Sequence, residues 1–335
     1  MKQKLSFVMM VVLIIGVLCS CSTQTQTQNE KAVQPQPYVA IKEIDPCVVE
    51  PDDNAHMSDK DRQHYRNLMN ALLMQQKTVQ LSESKEKNEY YIDLLKQSPY
   101  YFFAKSCALH GNTAVFEFEY TISEQEQMRD FMDENLLRIA NDDIKETDNE
   151  LDIILKIHRA VANEMMYDHD RTDNKQIGSP LFNYPANEIY KSLKNKKSLC
   201  YGFAYTLRFA LLQHGIDCFC VYGPCSYRDE AHMWNIFKYN GKFYTCDPAW
   251  DRSENEYARL YHFGKTDAER FSDGLEEREY SSKFFEEYGE VSCTDETFKF
   301  FRGINRYAYI DDHEYYMENY EGENMHFDSQ TLKFD

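Results

Sequence analysis

Asn240-Gly241, set between Ile236-Phe237-Lys238-Tyr239 and Lys242-Phe243-Tyr244, constrains this chain more than any other stretch. Both residues accept the positive φ that a tight two-residue hairpin turn demands, and the flanks carry the aromatic and β-branched residues of strands. With that pair as the turn, Tyr239 faces Lys242, and counting outward sets Trp234 opposite Asp247 and His232 opposite Ala249. Side chains alternate between the faces of a strand, so His232 and Asp247 share one face as diagonal neighbours on adjacent strands. That separation is one an imidazole–carboxylate hydrogen bond can span. Any symmetric loop centred on the pair gives the same result, whereas a slip of one residue sends Asp247 to the other face. The competing reading makes His232 a core histidine and Asp247 a strand-end cap ahead of Pro248.

Upstream, Ser198-Leu199-Cys200-Tyr201-Gly202 leads into Phe203, Ala204, Leu207, Ala210 and Leu211, apolar at helical spacing, with His214-Gly215 as the left-handed close. Cys200 therefore falls at a helix N-terminus. The N–H groups and the positive dipole end found there favour a thiolate and can hold an oxyanion. An inert, buried cysteine is the plainer alternative. Between helix and hairpin, Ile216 to Tyr222 reads as a strand broken by Gly223-Pro224, and Ala231 to Phe237 reads as its neighbour. Lys191, Lys194, Lys196 and Lys197 precede the cysteine, either as a solvated face or as a source of positive potential for a thiolate. Thiol, imidazole and carboxylate belong together chemically. The imidazole takes the thiol proton, the ion pair keeps sulfur nucleophilic, and the carboxylate fixes the ring's tautomer, which suits acyl transfer through a thioester.

These motifs, Cys200-Tyr201-Gly202-Phe203-Ala204, His214-Gly215-Ile216, His232-Met233-Trp234-Asn235, Asn240-Gly241-Lys242-Phe243-Tyr244 and Asp247-Pro248-Ala249-Trp250-Asp251, resemble the bacterial transglutaminase-like superfamily. The resemblance continues through Leu151 to Met165 with Tyr167-Asp168, and through Leu260-Tyr261-His262-Phe263, about residues 149 to 275 in all. It implies a papain-like core of α+β class, a nucleophile-bearing helix packed on an antiparallel sheet. It also implies Cys200, His232 and Asp247 as the catalytic triad, with no cofactor and no metal. Trp234, Trp250 and Asp251 match family positions and read as packing and hairpin-end residues. Ser198 and Tyr201 depart from the glycine and glutamine common at their positions, which leaves the second oxyanion donor unassigned.

The first residues read as an export signal. Lys2 and Lys4 precede an apolar run from Leu5 to Leu18 and then Leu18-Cys19-Ser20-Cys21, which resembles a bacterial lipobox with cleavage before Cys21 and lipid on its sulfur. An uncleaved membrane anchor is the alternative, short for a full span. Cleavage takes the net charge from −19 to −21 by removing two lysines, and either value repels nucleic acid. The remaining cysteines, among them Cys47, Cys107, Cys218, Cys220, Cys225, Cys246 and Cys293, lack zinc spacing and read as buried thiols or an occasional disulfide.

The expected organisation is a signal over 1–21, a polar tether over 22–50, a smaller α+β domain over 51–146, a transglutaminase-like domain over 147–290, and short aromatic strands over 291–335. In the first domain, helices are expected at 58–76 and 85–97, strands at 100–104 and 113–121, and a capping box at Ser123 and Glu126. A second capping box, Thr147 with Glu150, opens a helix whose apolar stripe includes His158, read as a core histidine. Tyr167 to Pro185 reads as a loop walling the cleft. The expected function is an exported lipoprotein, anchored at Cys21 to the cell or outer membrane. It would perform thiol-dependent acyl transfer on peptide or glutamine-type amides, cell-wall peptide among them, with hydrolysis ahead of cross-linking. The alternative is a non-catalytic surface module that binds peptide or glycan.

Overall fold

The computed structural model describes residues 39–49, 57–172, 185–227, 230–253, 257–275, 279–280 and 291–335. The signal and Cys21 lie outside them, as do most of the tether and the middle of the expected 167–185 loop. The described residues all fall in the unit Pro37–Asp335.

In chain order the elements are α1 (Asp59–Leu73), β1 (Thr78–Gln80), α2 (Lys85–Lys96), β2 (Ala104–His110), β3 (Thr113–Phe118), α3 (Ile122–Ala140) and α4 (Glu150–Glu164). Then come β4 (Met166–Tyr167), α5 (His169–Thr172), α6 (Pro185–Asn195), β5 (Lys197–Ser198), α7 (Cys200–Gln213), β6 (Cys218–Cys225), β7 (Glu230–Tyr239) and β8 (Lys242–Cys246). A single turn α8 (Pro248–Asp251), then α9 (Asp267–Ser272), β9 (Glu279–Tyr280), β10 (Ile304–Asp311), β11 (Glu314–Asn319), β12 (Asn324–Asp328) and β13 (Lys333–Phe334) complete the chain.

Three antiparallel sheets carry the strands, in the orders β1-β3-β2, β8-β7-β6-β9 and β10-β11-β12-β13, with a short parallel pair β4-β5. Helix α7 is buried on nearly every side, between β6–β7 on one side and α4 and α6 on the other. That is why its sequence is apolar around its whole circumference rather than along one stripe. The boundary expected between residues 146 and 147 falls inside the unit, and one apolar cluster runs across it from Met57 to Phe327.

The β7–β8 register agrees with the turn count, Tyr239 facing Lys242 and Asn235 facing Cys246, around Asn240 and Gly241 at φ 49° and 73°. Three local expectations are corrected. The strand expected at 100–104 is a 3-10 turn, Tyr101–Phe103, and strand pairing starts at Ala104. A strand would turn one of two adjacent aromatics outward, whereas here Phe102 and Phe103 are both buried with ring centroids 4.4 Å apart. The capping boxes are Thr121–Glu124 and Asn149–Asp152 rather than Ser123–Glu126 and Thr147–Glu150. Asp152 is fixed by tertiary partners, accepting from Tyr315 Oη at 3.0 Å and Ser329 Oγ at 2.5 Å, so the helix start is set from across the fold. Strand β6 runs through Gly223-Pro224 to Cys225, Gly223 facing His232 and Pro224 facing Ala231 on β7. The aromatic C-terminal stretch is the four-stranded sheet β10–β13, whose Tyr307, Tyr315 and Phe327 point into the core with Phe298 and Phe301.

Candidate active site

Cys200 is the first residue of α7, and the residue before it, Leu199, is extended at φ −85° and ψ 177°. Leucine brings no side-chain acceptor to the helix start, and the first turn holds no acid, so nothing there offsets the positive end of the dipole. Gly202 allows this approach. A Cβ at that position would lie 1.9 Å from Ser198 Oγ and 2.4 Å from Ser192 Oγ, two hydroxyls themselves joined at 2.7 Å. The small residue therefore lets the first helical turn sit against β5. Cys200 itself is 7% exposed.

His232 comes from β7 and Asp247 from the end of β8, where it caps α8. Imidazole Nε2 lies 2.6 Å from Asp247 Oδ2, and the ring also interacts with Cys200. The imidazole thus meets both a carboxylate and a thiol, the partners a proton-shuttling imidazole needs. Burial works to lower the histidine's pKa, but the charges of Asp247 and Cys200 and the hydrogen bonds to both outweigh it, and the group is pushed up to about 10. Asp247 is fully buried. Its Oδ1 accepts the backbone N–H groups of Ala249 and Trp250, each at 3.1 Å, and its Oδ2 accepts from Arg270 Nη2 at 3.1 Å as well as facing His232. Burial raises this carboxyl, yet His232, then Arg270 and His262, hold it well below the usual carboxylate range. It is a fixed anion with its lone pairs used.

Sequence reading missed Arg270. It lies on α9, 1% exposed, with its guanidinium carbon 5.4 Å from the centre of Trp234 and 5.1 Å from that of Trp250. Nη1 meets His262 Nδ1 at 3.2 Å. The available signal was the Thr266–Glu269 capping box, which announces a helix over this stretch but not which face meets the hairpin. Trp250 is more than a hairpin-end residue: its ring stacks on the His232 imidazole at 4.4 Å and 22°, while Trp234 lies parallel to it at 6.4 Å. The stack holds the ring's plane as Asp247 holds its direction.

Three of the four lysines before Cys200 are engaged elsewhere. Lys197 pairs with Asp168 at 3.1 Å and Asp170 at 2.6 Å, Lys196 pairs with Glu164, and Lys194 donates to Tyr190 Oη at 3.0 Å. His158 is a core residue, fully buried, its Nδ1 2.9 Å from Tyr307 Oη and its Nε2 3.3 Å from Asp251 Oδ2. The eight described cysteines are all free thiols, Cys47 half-buried and the rest buried.

Beside the imidazole opens a cavity of about 700 Å³, lined by Tyr167, His169, Tyr227, Trp250, Arg259 and Asp273 among others. Trp250 belongs both to this wall and to the imidazole stack, so the cavity lies one ring away from the candidate nucleophile's base.

Residues 138–248 match the family described as the Transglutaminase-like superfamily, a stretch that contains Cys200, His232 and Asp247. This part of the chain is a transglutaminase-like domain, and its mixed helices and antiparallel sheets make the fold α+β. Domains of this kind usually carry a Cys-His-Asp triad and are generally catalytic through the cysteine. A solved structure described as "Crystal structure of a TGase" is similar at 13% identity and a TM-score of 0.32, over 54% of this chain and 52% of that one. The chain thus spans about half the length of that protein. No curated protein matches it.

Proposed function

We propose that this protein is a cysteine-dependent acyltransferase, Cys200 acting as nucleophile, His232 as acid and base, and Asp247 as the residue that orients the histidine. One observation carries the reading: His232 bonds to a buried, fully saturated carboxylate and interacts with a thiol at an uncapped helix start. In the first half-reaction Cys200 Sγ adds to the carbonyl carbon of a peptide or glutamine-type amide. The imidazolium passes its proton to the leaving nitrogen, and the C–N bond breaks to give a thioester. In the second, His232 takes a proton from the acceptor, which adds to the thioester carbon and releases Cys200. The acceptor we favour is water, which makes the protein a peptidase or amidase rather than a cross-linking enzyme. We place it outside the cytoplasmic membrane, held by lipid on Cys21, with cell-wall peptide among its substrates.

The test is to offer quenched peptide pools, with and without a primary amine, to the chain and to its Cys200→Ala variant. Mass spectrometry of the products separates cleavage, deamidation and cross-linking. Cysteine-dependent product supports the reading, and no product from either protein overturns it.

The low exposure of Cys200, together with a cavity that its side chain does not line, favours a second reading, a non-catalytic module that binds peptide or glycan. On that reading Cys200→Ala leaves the cellular phenotype unchanged, and a phenotype lost in that variant counts against it.

A further inference from the structure

Among the described residues, the wall of the cavity beside Trp250 carries more base than acid. The chain as a whole has 37 Lys+Arg against 56 Asp+Glu, yet the charged residues described in the wall are Arg252, Arg259 and Asp273, with His169 and His262 beside them. The one acid is already neutralised: Asp273 accepts from Lys265 Nζ at 2.7 Å and 3.0 Å and lies 3.4 Å from His262 Nδ1. Arg252 is spent on Met165 O at 2.6 Å and on Met166 Sδ. Arg259 differs. Its Nε is buried without a hydrogen-bond partner, and among the described residues no carboxylate lies within 4 Å of its guanidinium.

Its place is nevertheless fixed. The Arg259 backbone N–H donates to Asp251 O at 2.7 Å, and the neighbouring pair Arg252–Ala258 forms a β-bridge. The side chain therefore starts from backbone tied to α8, the turn that Asp247 caps and that carries Trp250. Arg259 lines the cavity with no carboxylate of the described residues beside its guanidinium, and the planar fork of such a group matches a carboxylate. The aromatic walls, Tyr167, Tyr227 and Trp250, supply apolar surface around that single charged contact, the composition of a small-molecule or peptide subsite.

We propose that this cavity is an anion subsite, in which Arg259 binds a carboxylate of the peptide whose carbonyl is presented to Cys200. The inference rests on the reading of the site as a peptide-processing centre and adds the substrate class, peptides bearing a carboxylate close to the reacting bond. Two sources share that chemistry, an acidic side chain and a free C-terminus.

The experiment measures binding rather than turnover. The full chain carrying Cys200→Ala is titrated with three matched pools of acetylated pentapeptides: C-terminal amide with a central Gln, C-terminal amide with a central Glu, and free C-terminal acid with a central Gln. The readout is tryptophan emission, which Trp250 ties to the cavity wall. At least one acid-bearing pool binds about tenfold or more tightly than the neutral pool, the scale of a charge-assisted hydrogen bond, and which one does so names the source. Adding Arg259→Gln removes the difference, and Arg259→Lys keeps part of it. Equal affinity for all three pools overturns the proposal, as does a preference unchanged by Arg259→Gln. If Arg259→Gln fails to fold, salt decides on the Cys200→Ala protein alone: the preference shrinks between about 0.05 M and 0.5 M, and a salt-independent preference overturns the assignment. The two readings fail separately. A wild-type chain that cleaves nothing, while Cys200→Ala still prefers acidic peptides, sinks the enzymatic reading and leaves the subsite. A chain that cleaves neutral and acidic peptides alike sinks the subsite and leaves the enzyme.

Discussion

Two buried histidine–aspartate pairs lie close together in this chain, and they have different surroundings. His232 and Asp247 meet at 2.6 Å, His158 and Asp251 at 3.3 Å, and the two aspartates are four residues apart, Asp247 capping α8 and Asp251 ending it. They differ first in bonding: His232 Nε2 is hydrogen-bonded to its carboxylate, whereas His158 Nε2 and Asp251 Oδ2 make no hydrogen bond. They differ again in the histidine's other neighbour. His232 interacts with a thiol at a helix start, next to a cavity. His158 Nδ1 meets the hydroxyl of Tyr307, which in turn donates to Leu155 O at 2.9 Å inside the core. A buried pair of this kind is therefore no site in itself. The histidine's other neighbour decides whether its proton has anywhere to go.

That contrast is open to test, and the largest effect is on turnover. On any peptide that the chain processes, Cys200→Ala and His232→Ala reduce kcat/KM by about ten-thousandfold or more, whereas His158→Gln leaves it within about threefold. A His158 variant as dead as His232→Ala, while still folded, would erase the distinction. Next comes Asp247→Asn, which keeps the shape and removes the charge. Turnover falls by about a hundredfold to a thousandfold, and because Asp247 holds the His232 pKa up, Cys200 alkylation near pH 6 slows with it. Unchanged alkylation would mean that the carboxylate does not govern the thiol.

The core pair answers in stability. His158→Phe removes the hydrogen bond to Tyr307 and the imidazole beside Asp251 and costs about 1–3 kcal/mol in denaturant unfolding, with activity per folded molecule preserved. Arg270→Gln has a smaller effect, about tenfold on kcat, and a distinct pH signature. Asp247's lowered pKa contributes stability that is present above about pH 3.8 and lost as pH falls. Without Arg270 the folded-state value moves back toward 3.8, so that loss is smaller and is complete at a higher pH, a change that a merely structural role for the arginine would not produce. The smallest effect lies at the alkaline end. His232 is raised from 6.5 to about 10, so its contribution is complete below about pH 6.5 and fades as pH climbs towards 10. Thermal melts of wild type should decline across that window more than those of His232→Phe.

The hairpin half of the candidate site was readable because its geometry is local. Asn240-Gly241 fixes a register over a few residues either side, and alternation then puts His232 and Asp247 on one face. Cys200 was readable for a similar reason, as the first residue of an apolar helical stretch. Arg259 was not, because it lies on irregular chain with no period to say which way it turns, and Arg270 was not, because the capping box announces α9 without saying which face meets the hairpin. The capping boxes show the same limit on a smaller scale. Thr121 and Ser123 both stand three residues before a glutamate, and local pattern alone does not choose between them. The aromatic pair Phe102-Phe103 reads as strand by propensity, but burying both rings needs a tighter turn.

Helix α4 acquires its polar partners from far along the chain. His158 waits for Tyr307, 149 residues later, and Asp152 waits for Ser329, 177 residues later. Closing loops of that length is entropically slow compared with zipping a hairpin. The Asn240-Gly241 turn can therefore form early, while the helix that supports the nucleophile stays incompletely satisfied until the last strands arrive. Chains halted before residue 307 would hold the recognisable motifs and yet lack a finished core. They would be natural prey for proteolysis.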